Sequence, residues 1–120
     1  MANGTEMMIR YRIRPREAAQ VDQLRGSIPR NLWMREAALR YAKLVSIGEA
    51  PPPKGEKMER ARDPGEDPRR IFVRFRLQPP DVEAVQRAQR RRNARKVPPV
   101  SLWMREAALR YMHLRQEGRV

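Results

Sequence analysis

The ten residues LWMREAALRY occupy positions 32–41 and occur again, unchanged, at positions 102–111. A ten-residue identity does not arise by chance in a chain of 120 residues, so the sequence contains an internal repeat. Within each copy, a methionine, two alanines and a tyrosine stand at i, i+3, i+4 and i+7, which places them on one face of a helix. The decamer therefore predicts a helix with an apolar face, present twice.

A short alternating segment precedes each decamer: MMIRYRIRP at 7–15 and IFVRFRLQP at 71–79. Apolar residues alternate with polar ones, mostly arginine, and a period of two predicts a strand with one buried face. Each segment ends at a proline, Pro15 or Pro79, and proline suits the first position of a helix. We therefore predict a further helix after each strand, the first of them ending near Leu24.

The decamer helix should follow as the second helix of each unit. Asn31 precedes one copy and Ser101 the other, and both residue types are favoured as N-caps because their side-chain oxygens accept from unpaired helix amides. The predicted unit is strand–helix–helix, twice. The strands are offset by 64 residues and the decamers by 70, so six extra residues lie around Arg90–Pro99 in the second unit.

Neither unit alone can bury its apolar strand face, whereas two strands paired antiparallel under four helices can. The predicted fold class is α+β, mostly helical, with one two-stranded ribbon. The expected core of the ribbon comprises Ile9, Tyr11, Ile13, Val73, Phe75 and Leu77. The expected organisation is a flexible N-terminus at 1–6, repeat one at 7–47, a Pro/Gly-rich linker at 48–68, repeat two at 69–116 and a tail at 117–120.

The composition is strongly basic, with 27 Lys and Arg against 14 Asp and Glu, a net charge of +13. The excess lies in the two repeats, since residues 48–68 carry four basic and six acidic groups. Such a surplus favours a polyanionic partner, nucleic acid first and an anionic membrane second. A general solubility charge is the alternative interpretation.

Several function classes find no support in the sequence. Without cysteine the chain has neither a zinc finger nor a disulfide framework, and no apolar run approaches the roughly 20 residues of a membrane span. The start MANGTEMMIR lacks the features of a signal peptide, which predicts a cytoplasmic protein. No nucleophile–base set, phosphate loop or metal-ligand spacing is present, so we expect no enzyme activity, cofactor or metal.

The succession of strand, helix and a second helix beginning SLWMREAAL resembles the ribbon-helix-helix DNA-binding proteins, which are usually homodimers. The resemblance covers residues 7–47 and 69–116, and it is to the tandem form, in which one chain carries both halves. Tandem members occur among relaxosome accessory factors of conjugative plasmids and among agrobacterial virulence accessory proteins that bind the overdrive sequence beside T-DNA borders. The resemblance implies a bacterial, monomeric pseudo-dimer that binds double-stranded DNA and assists a relaxase.

The resemblance also implies which residues contact DNA. The base-reading residues would be Arg10, Arg12, Arg74 and Arg76, which the ribbon inserts into the major groove. Met8 and Phe72 would take the outermost reading positions, where the family usually has polar residues. Arg14 and Gln78 would lie beyond the strands and touch phosphate. Further backbone contacts would come from the start of each second helix, where the helix dipole favours an anion: Asn31, Leu32, Trp33, Ser101, Leu102 and Trp103.

Alternatives remain open at the level of sequence. The strand arginines are also compatible with the solvated face of a purely structural ribbon. The two tryptophans suit base stacking or, better, part-buried packing. Arg90, Arg91 and Arg92 suit either phosphate contacts or a solvated helix end. Alternative functions are a transcriptional repressor with the same fold and a non-specific adaptor for RNA or an anionic membrane.

Overall fold

The computed structural model describes residues 5–58, 65, 67–90 and 98–120, which contain two strands and four helices. In chain order these are β1 (Met7–Ile13), α1 (Pro15–Leu24), α2 (Arg30–Ser46), β2 (Ile71–Leu77), α3 (Pro79–Arg90) and α4 (Val100–Gln116). The order strand–helix–helix occurs twice, as predicted, and the fold class is α+β. The architecture is that of a tandem ribbon-helix-helix-like protein.

The two strands form one antiparallel ribbon within the single chain, with Arg10 directly opposite Arg74. Successive side chains alternate between the faces, and one face carries the buried residues Ile9, Tyr11, Ile13, Val73, Phe75 and Leu77. The predicted burial pattern of the ribbon is therefore confirmed. The Tyr11 and Phe75 rings meet edge to face, 6.1 Å apart at 84°.

The predicted helix starts at the two prolines are also confirmed, because α1 begins at Pro15 and α3 begins at Pro79. Proline has no N–H to leave unpaired there, and its fixed φ suits the first turn. At the start of α1 the Arg14 amide donates to Glu17 Oε1 at 2.7 Å. After Leu24 the chain reverses at Gly26, whose φ of 58° is readily adopted by a residue without a Cβ.

The prediction that Asn31 and Ser101 cap the decamer helices is wrong. The N-cap residues are Pro29 and Pro99, and neither makes a side-chain cap hydrogen bond. Asn31 and Ser101 are the second residues of α2 and α4, where their side chains reach the ribbon instead. A partner from another element displaced the local capping interaction, which sequence spacing alone does not reveal.

The core lies between the ribbon and the helices, and α2 and α4 make its main helix–helix contact. The apolar face of each decamer is buried, as predicted: Met34, Ala37, Ala38 and Tyr41 in α2, and Met104, Ala107, Ala108 and Tyr111 in α4. Arg40 Nη1 donates to the Tyr111 hydroxyl at 3.4 Å, and Arg110 Nη1 donates to the Tyr41 hydroxyl at 3.5 Å. These matched pairs are the reciprocal contacts expected of a two-fold interface, here within one chain.

The linker breaks this symmetry. Residues 51–57, which we call the strap, have no regular secondary structure and lie on α4. The amides of Lys54 and Gly55 donate to the Glu106 carboxylate at 2.9–3.1 Å, and Arg105 Nη2 donates to the Glu56 carbonyl. The corresponding carboxylate of α2, Glu36, is exposed. The identical decamers therefore have different surroundings.

Replacing Gly55 with alanine is expected to detach or distort the strap. Gly55 has a φ of 71°, and an added Cβ would overlap the Pro98 side chain. The unfavourable backbone conformation alone costs about 1–2 kcal/mol for a residue with a Cβ, and the overlap adds to it. Urea unfolding should show a larger loss of stability for Gly55→Ala than for Gly26→Ala. Gly26 is the matched control because its φ is 58° and an added Cβ there meets no atom within 4 Å. Equal losses at the two sites would contradict close packing of the strap on Pro98.

Candidate nucleic-acid interface

The face of the ribbon opposite the core carries the four arginines singled out from the sequence. Arg10, Arg12, Arg74 and Arg76 are all exposed. In the register of the ribbon, Arg10 is opposite Arg74, Arg12 is opposite Phe72, and Met8 is opposite Arg76. The structure therefore brings the four arginines together on one surface, which we call the ribbon face.

The central pair of the ribbon face works against stability. The Arg10 amide and the Arg74 carbonyl both bond to helices at the ribbon edges, so the two residues form a pair without hydrogen bonds to each other. Side chains of such a pair approach closely, and like charges directly opposite each other are unfavourable. Among the described residues, one carboxylate pairs with this face: Glu6 lies 3.5 Å from Arg76, and both side chains are largely exposed. An exposed pair of this kind contributes little.

The second helix of each repeat begins at the ribbon. Ser101 Oγ accepts from the Arg10 amide at 3.4 Å, and Asn31 Nδ2 donates to the Arg74 carbonyl at 3.0 Å. These two contacts are related by the same internal symmetry as the decamers. They hold the first turn of α4 against β1 and the first turn of α2 against β2, so that a helix N-terminus flanks the ribbon face on each side.

The tryptophans do not supply free amides to these helix N-termini. The Trp33 amide donates to the Pro29 carbonyl at 2.9 Å, and the Trp103 amide donates to the Pro99 carbonyl at 3.0 Å. These two amides are therefore occupied, and contacts of Trp33 and Trp103 with the DNA backbone remain predictions. The amides of the first three residues of a helix have no acceptor within the helix. Those amides belong to Arg30, Asn31 and Leu32 in α2 and to Val100, Ser101 and Leu102 in α4.

The tryptophan side chains have unequal environments. Trp103 is 1% exposed and belongs to the core, whereas Trp33 is only partly buried against it. Part-buried packing is thus confirmed for Trp33, while Trp103 is more deeply buried than predicted. Such burial leaves the Trp103 indole no free face on which a base could stack.

The remaining predicted contact residues lie at the margins of the ribbon. Arg14 and Gln78 follow the strands and sit at the turns into α1 and α3, where Arg14 is half-buried and Gln78 is exposed. Arg90 is exposed at the end of α3. Arg91 and Arg92 lie outside the described residues. Contacts of all five with DNA remain predictions.

Three basic residues near the β1 edge were not singled out by the sequence: Lys57, Arg70 and Arg105. Arg105 has the same neighbours in sequence as Arg35, yet it is 9% exposed and bonded to the strap, while Arg35 is half-buried and pairs with Glu36. Burial lowers the pKa of Arg105. The nearby carboxylates of Glu17 and Glu106 offset part of this decrease. An identical decamer gives no sequence signal for this difference, because the strap causes it.

Tyr11 packs beside this group, and burial raises the pKa of its phenol, partly offset by the charge of Arg105. Its buried hydroxyl has no hydrogen-bond partner among the described residues. The corresponding residue of β2 is Phe75, which has no hydroxyl to satisfy. The two ribbon edges therefore differ in chemistry.

In the described part of the chain, no group of His, Cys, Asp and Glu is arranged to hold a metal ion. No helix there is long and apolar enough to cross a membrane. The basic ribbon face with its two flanking helix N-termini is the candidate functional site. No protein-family model, curated protein or solved structure matches this chain.

Proposed function

We propose that the protein binds duplex DNA sequence-specifically, with the ribbon in the major groove and the starts of α2 and α4 against the phosphate backbones on either side. The observation that carries the proposal is the ribbon face itself: four exposed arginines on a two-stranded ribbon with a helix N-terminus at each edge. The major groove admits a two-stranded ribbon, and arginine donates bidentately to guanine O6 and N7.

The unfavourable Arg10–Arg74 pair supports this proposal over a structural ribbon. A surface selected only for stability has no reason to place two guanidinium groups directly opposite each other. A partner that places acceptor atoms against the ribbon face offsets the repulsion between the two guanidinium groups and gives each arginine a ligand. The net charge of +13 adds a sequence-independent attraction to the phosphates.

Within this proposal, the more specific role is that of an accessory protein that helps a relaxase process DNA for conjugative or T-DNA transfer. Its support is the tandem ribbon-helix-helix-like architecture together with the sequence resemblance stated above. The second candidate is a transcriptional repressor, which the same ribbon face supports equally well because both roles require binding of a specific duplex.

Footprinting on the plasmid or operon DNA of the source organism tests the proposal at two salt concentrations. Protection of a defined site that persists at the higher salt supports specific binding, and protection beside a transfer origin or border supports the relaxosome role. Protection confined to the protein's own promoter supports the repressor. Uniform protection that disappears at the higher salt would contradict specific binding and leave only a polyanion adaptor.

Phe72 is expected to recognise a thymine at one end of the site. Its side chain is 56% exposed on the ribbon face, opposite Arg12, where it can contact a thymine methyl group. Replacing thymines one at a time with uracil removes only that methyl, and at one position it should weaken binding severalfold. The Phe72→Ala variant should bind the thymine and uracil duplexes equally at that position. Replacements elsewhere in the site are the internal control, and an unchanged uracil effect in the variant would contradict this role for Phe72.

A further inference from the structure

A cationic pocket of about 410 Å³ lies at the outer edge of β1, beside the ribbon face. Among the residues that the structure describes, five basic side chains and no acidic one line it: Arg10, Arg12, Lys57, Arg70 and Arg105. They come from β1, from the strap, from the segment before β2 and from α4. The pocket is therefore assembled only by the tertiary structure, and Leu102 in the first turn of α4 completes its wall.

Two of the basic side chains that line the pocket, Arg105 and Arg70, are fixed by hydrogen bonds to backbone carbonyls. Arg105 is nine-tenths buried and donates to the Glu56 carbonyl, which fixes both the guanidinium and the strap residue next to Lys57. Arg70 Nη1 donates to the carbonyls of Pro68 and Arg69 at 3.1 and 3.2 Å. Tyr11, which is 5% exposed, also lines the pocket, and its hydroxyl is the unpartnered polar group described above.

The corresponding edge at β2 is different. Phe75 stands in the place of Tyr11, and Arg35, which pairs with Glu36 at 3.3 Å, stands in the place of Arg105. Arg76 on that side lies near Glu6. In the described residues, the strap contacts α4 and its Glu106, not the matching Glu36 of α2. Within the described ranges, positive charge is thus concentrated at one edge of a ribbon whose two halves are otherwise related by symmetry.

We propose that the cationic pocket binds one phosphate of the DNA backbone at the β1 edge alone, and that this contact fixes the orientation of the pseudo-symmetric protein on its site. The proposal rests on the proposed function, because it needs the ribbon face in the groove. A phosphodiester offers two non-bridging oxygens to guanidinium and ammonium donors, the strong charge-assisted type of hydrogen bond. The pocket adjoins Arg10 and Arg12, so a groove-bound ribbon brings the flanking backbone to it.

The double variant Lys57→Gln/Arg70→Gln tests the pocket, with Lys54→Gln/Arg69→Gln as the control. The control removes the same charge from the same two segments, the strap and the residues just before β2, but from side chains that do not line the pocket. Specific affinity is measured by fluorescence anisotropy over a range of salt concentrations. Loss of one phosphate contact should lower the slope of log K against log salt by about one and weaken binding roughly fivefold near 0.15 M salt. The control should keep the wild-type slope.

Ethylation interference locates the phosphate. The wild-type protein should be sensitive to one extra phosphate next to one half-site only, and the double variant should lose that sensitivity while keeping all others. Circular dichroism and thermal unfolding confirm that the variants fold. Lys57→Gln alone, at an exposed residue, replaces the double variant if the loss of the Arg70 contacts prevents folding.

The outcomes separate the two proposals. If the wild-type protein selects no duplex site, the proposed function fails. If it selects a site but the interference pattern is the same on both sides of the centre, or is unchanged in the pocket variant, the one-sided phosphate contact is wrong while the ribbon assignment stands.

Discussion

Replacing Arg10, Arg12, Arg74 and Arg76 together with alanine is expected to abolish sequence discrimination while leaving weak, salt-sensitive binding. Each bidentate arginine–guanine contact is worth about 1–3 kcal/mol of discrimination. Specific binding generally exceeds non-specific binding by about 10³–10⁷-fold, so losing all four contacts removes most or all of the difference. The other basic residues of the chain still attract phosphates, and that attraction does not depend on sequence.

Titration of the specific duplex and a scrambled duplex, each at two salt concentrations, measures this effect. The control replaces four basic residues that lie off the ribbon face, all exposed: Lys43, Arg87, Arg115 and Arg119. Three of these lie in or just beyond the last turns of α2 and α4, helices of 17 residues that begin at the ribbon. The control should keep its discrimination despite the same loss of charge. A ribbon variant that still selects the wild-type site would disprove base contact by the ribbon face.

The ribbon variant should also fold at least as well as the wild-type protein. It removes the opposed Arg10–Arg74 pair and four exposed side chains that make no core contact. Thermal unfolding therefore separates a loss of recognition from a loss of structure.

Replacing Trp103 with alanine is expected to have the largest effect on stability, far larger than the same change at Trp33. Trp103 is 1% exposed, and truncating a buried aromatic residue costs about 3–5 kcal/mol. Trp33 is only partly buried, so the change there removes fewer contacts and leaves a space that solvent can fill. Because both tryptophans occupy the same place in the same ten residues, each is the other's matched control.

Urea unfolding of the two alanine variants measures the difference in the free energy of unfolding. The single-tryptophan variants Trp33→Phe and Trp103→Phe give an independent reading by fluorescence quenching with acrylamide. The remaining Trp103 should be protected and the remaining Trp33 accessible. Equal stability losses together with equal quenching would contradict the asymmetric packing of the two decamers.

Much of the fold was predictable because it depends on local patterns. The period-two alternation around Arg10 and Arg74 predicted two strands with one buried face, and the apolar spacing from Met34 to Tyr41 predicted a buried helix face. Pro15 and Pro79 marked helix starts because proline restricts its own backbone. Pairing of the two strands within the chain followed from the duplication, since neither could bury its apolar face alone.

The candidate site was only partly predictable. The exposure of the four ribbon arginines follows directly from strand alternation. The N-cap prediction for Asn31 and Ser101 was wrong because both side chains bond to the strands instead. Capping propensities describe a helix with no neighbours, and they do not include a competing partner from elsewhere in the chain.

The sequence by itself determined that this protein has two strand–helix–helix units and an arginine-bearing ribbon face, because strand and helix periodicities are properties of neighbouring residues. Only the tertiary structure decided how the two copies differ. Arg35 and Arg105 are identical in sequence context, yet the strap buries Arg105 beside Tyr11 and brings Lys57 to the edge where Arg70 lies. The Tyr41 hydroxyl of α2 donates to the Pro51 carbonyl at the start of the strap, but residues 54–56 of the strap bond to Arg105 and Glu106 of α4 and leave Glu36 of α2 exposed. Packing of this single segment therefore makes a duplicated sequence asymmetric.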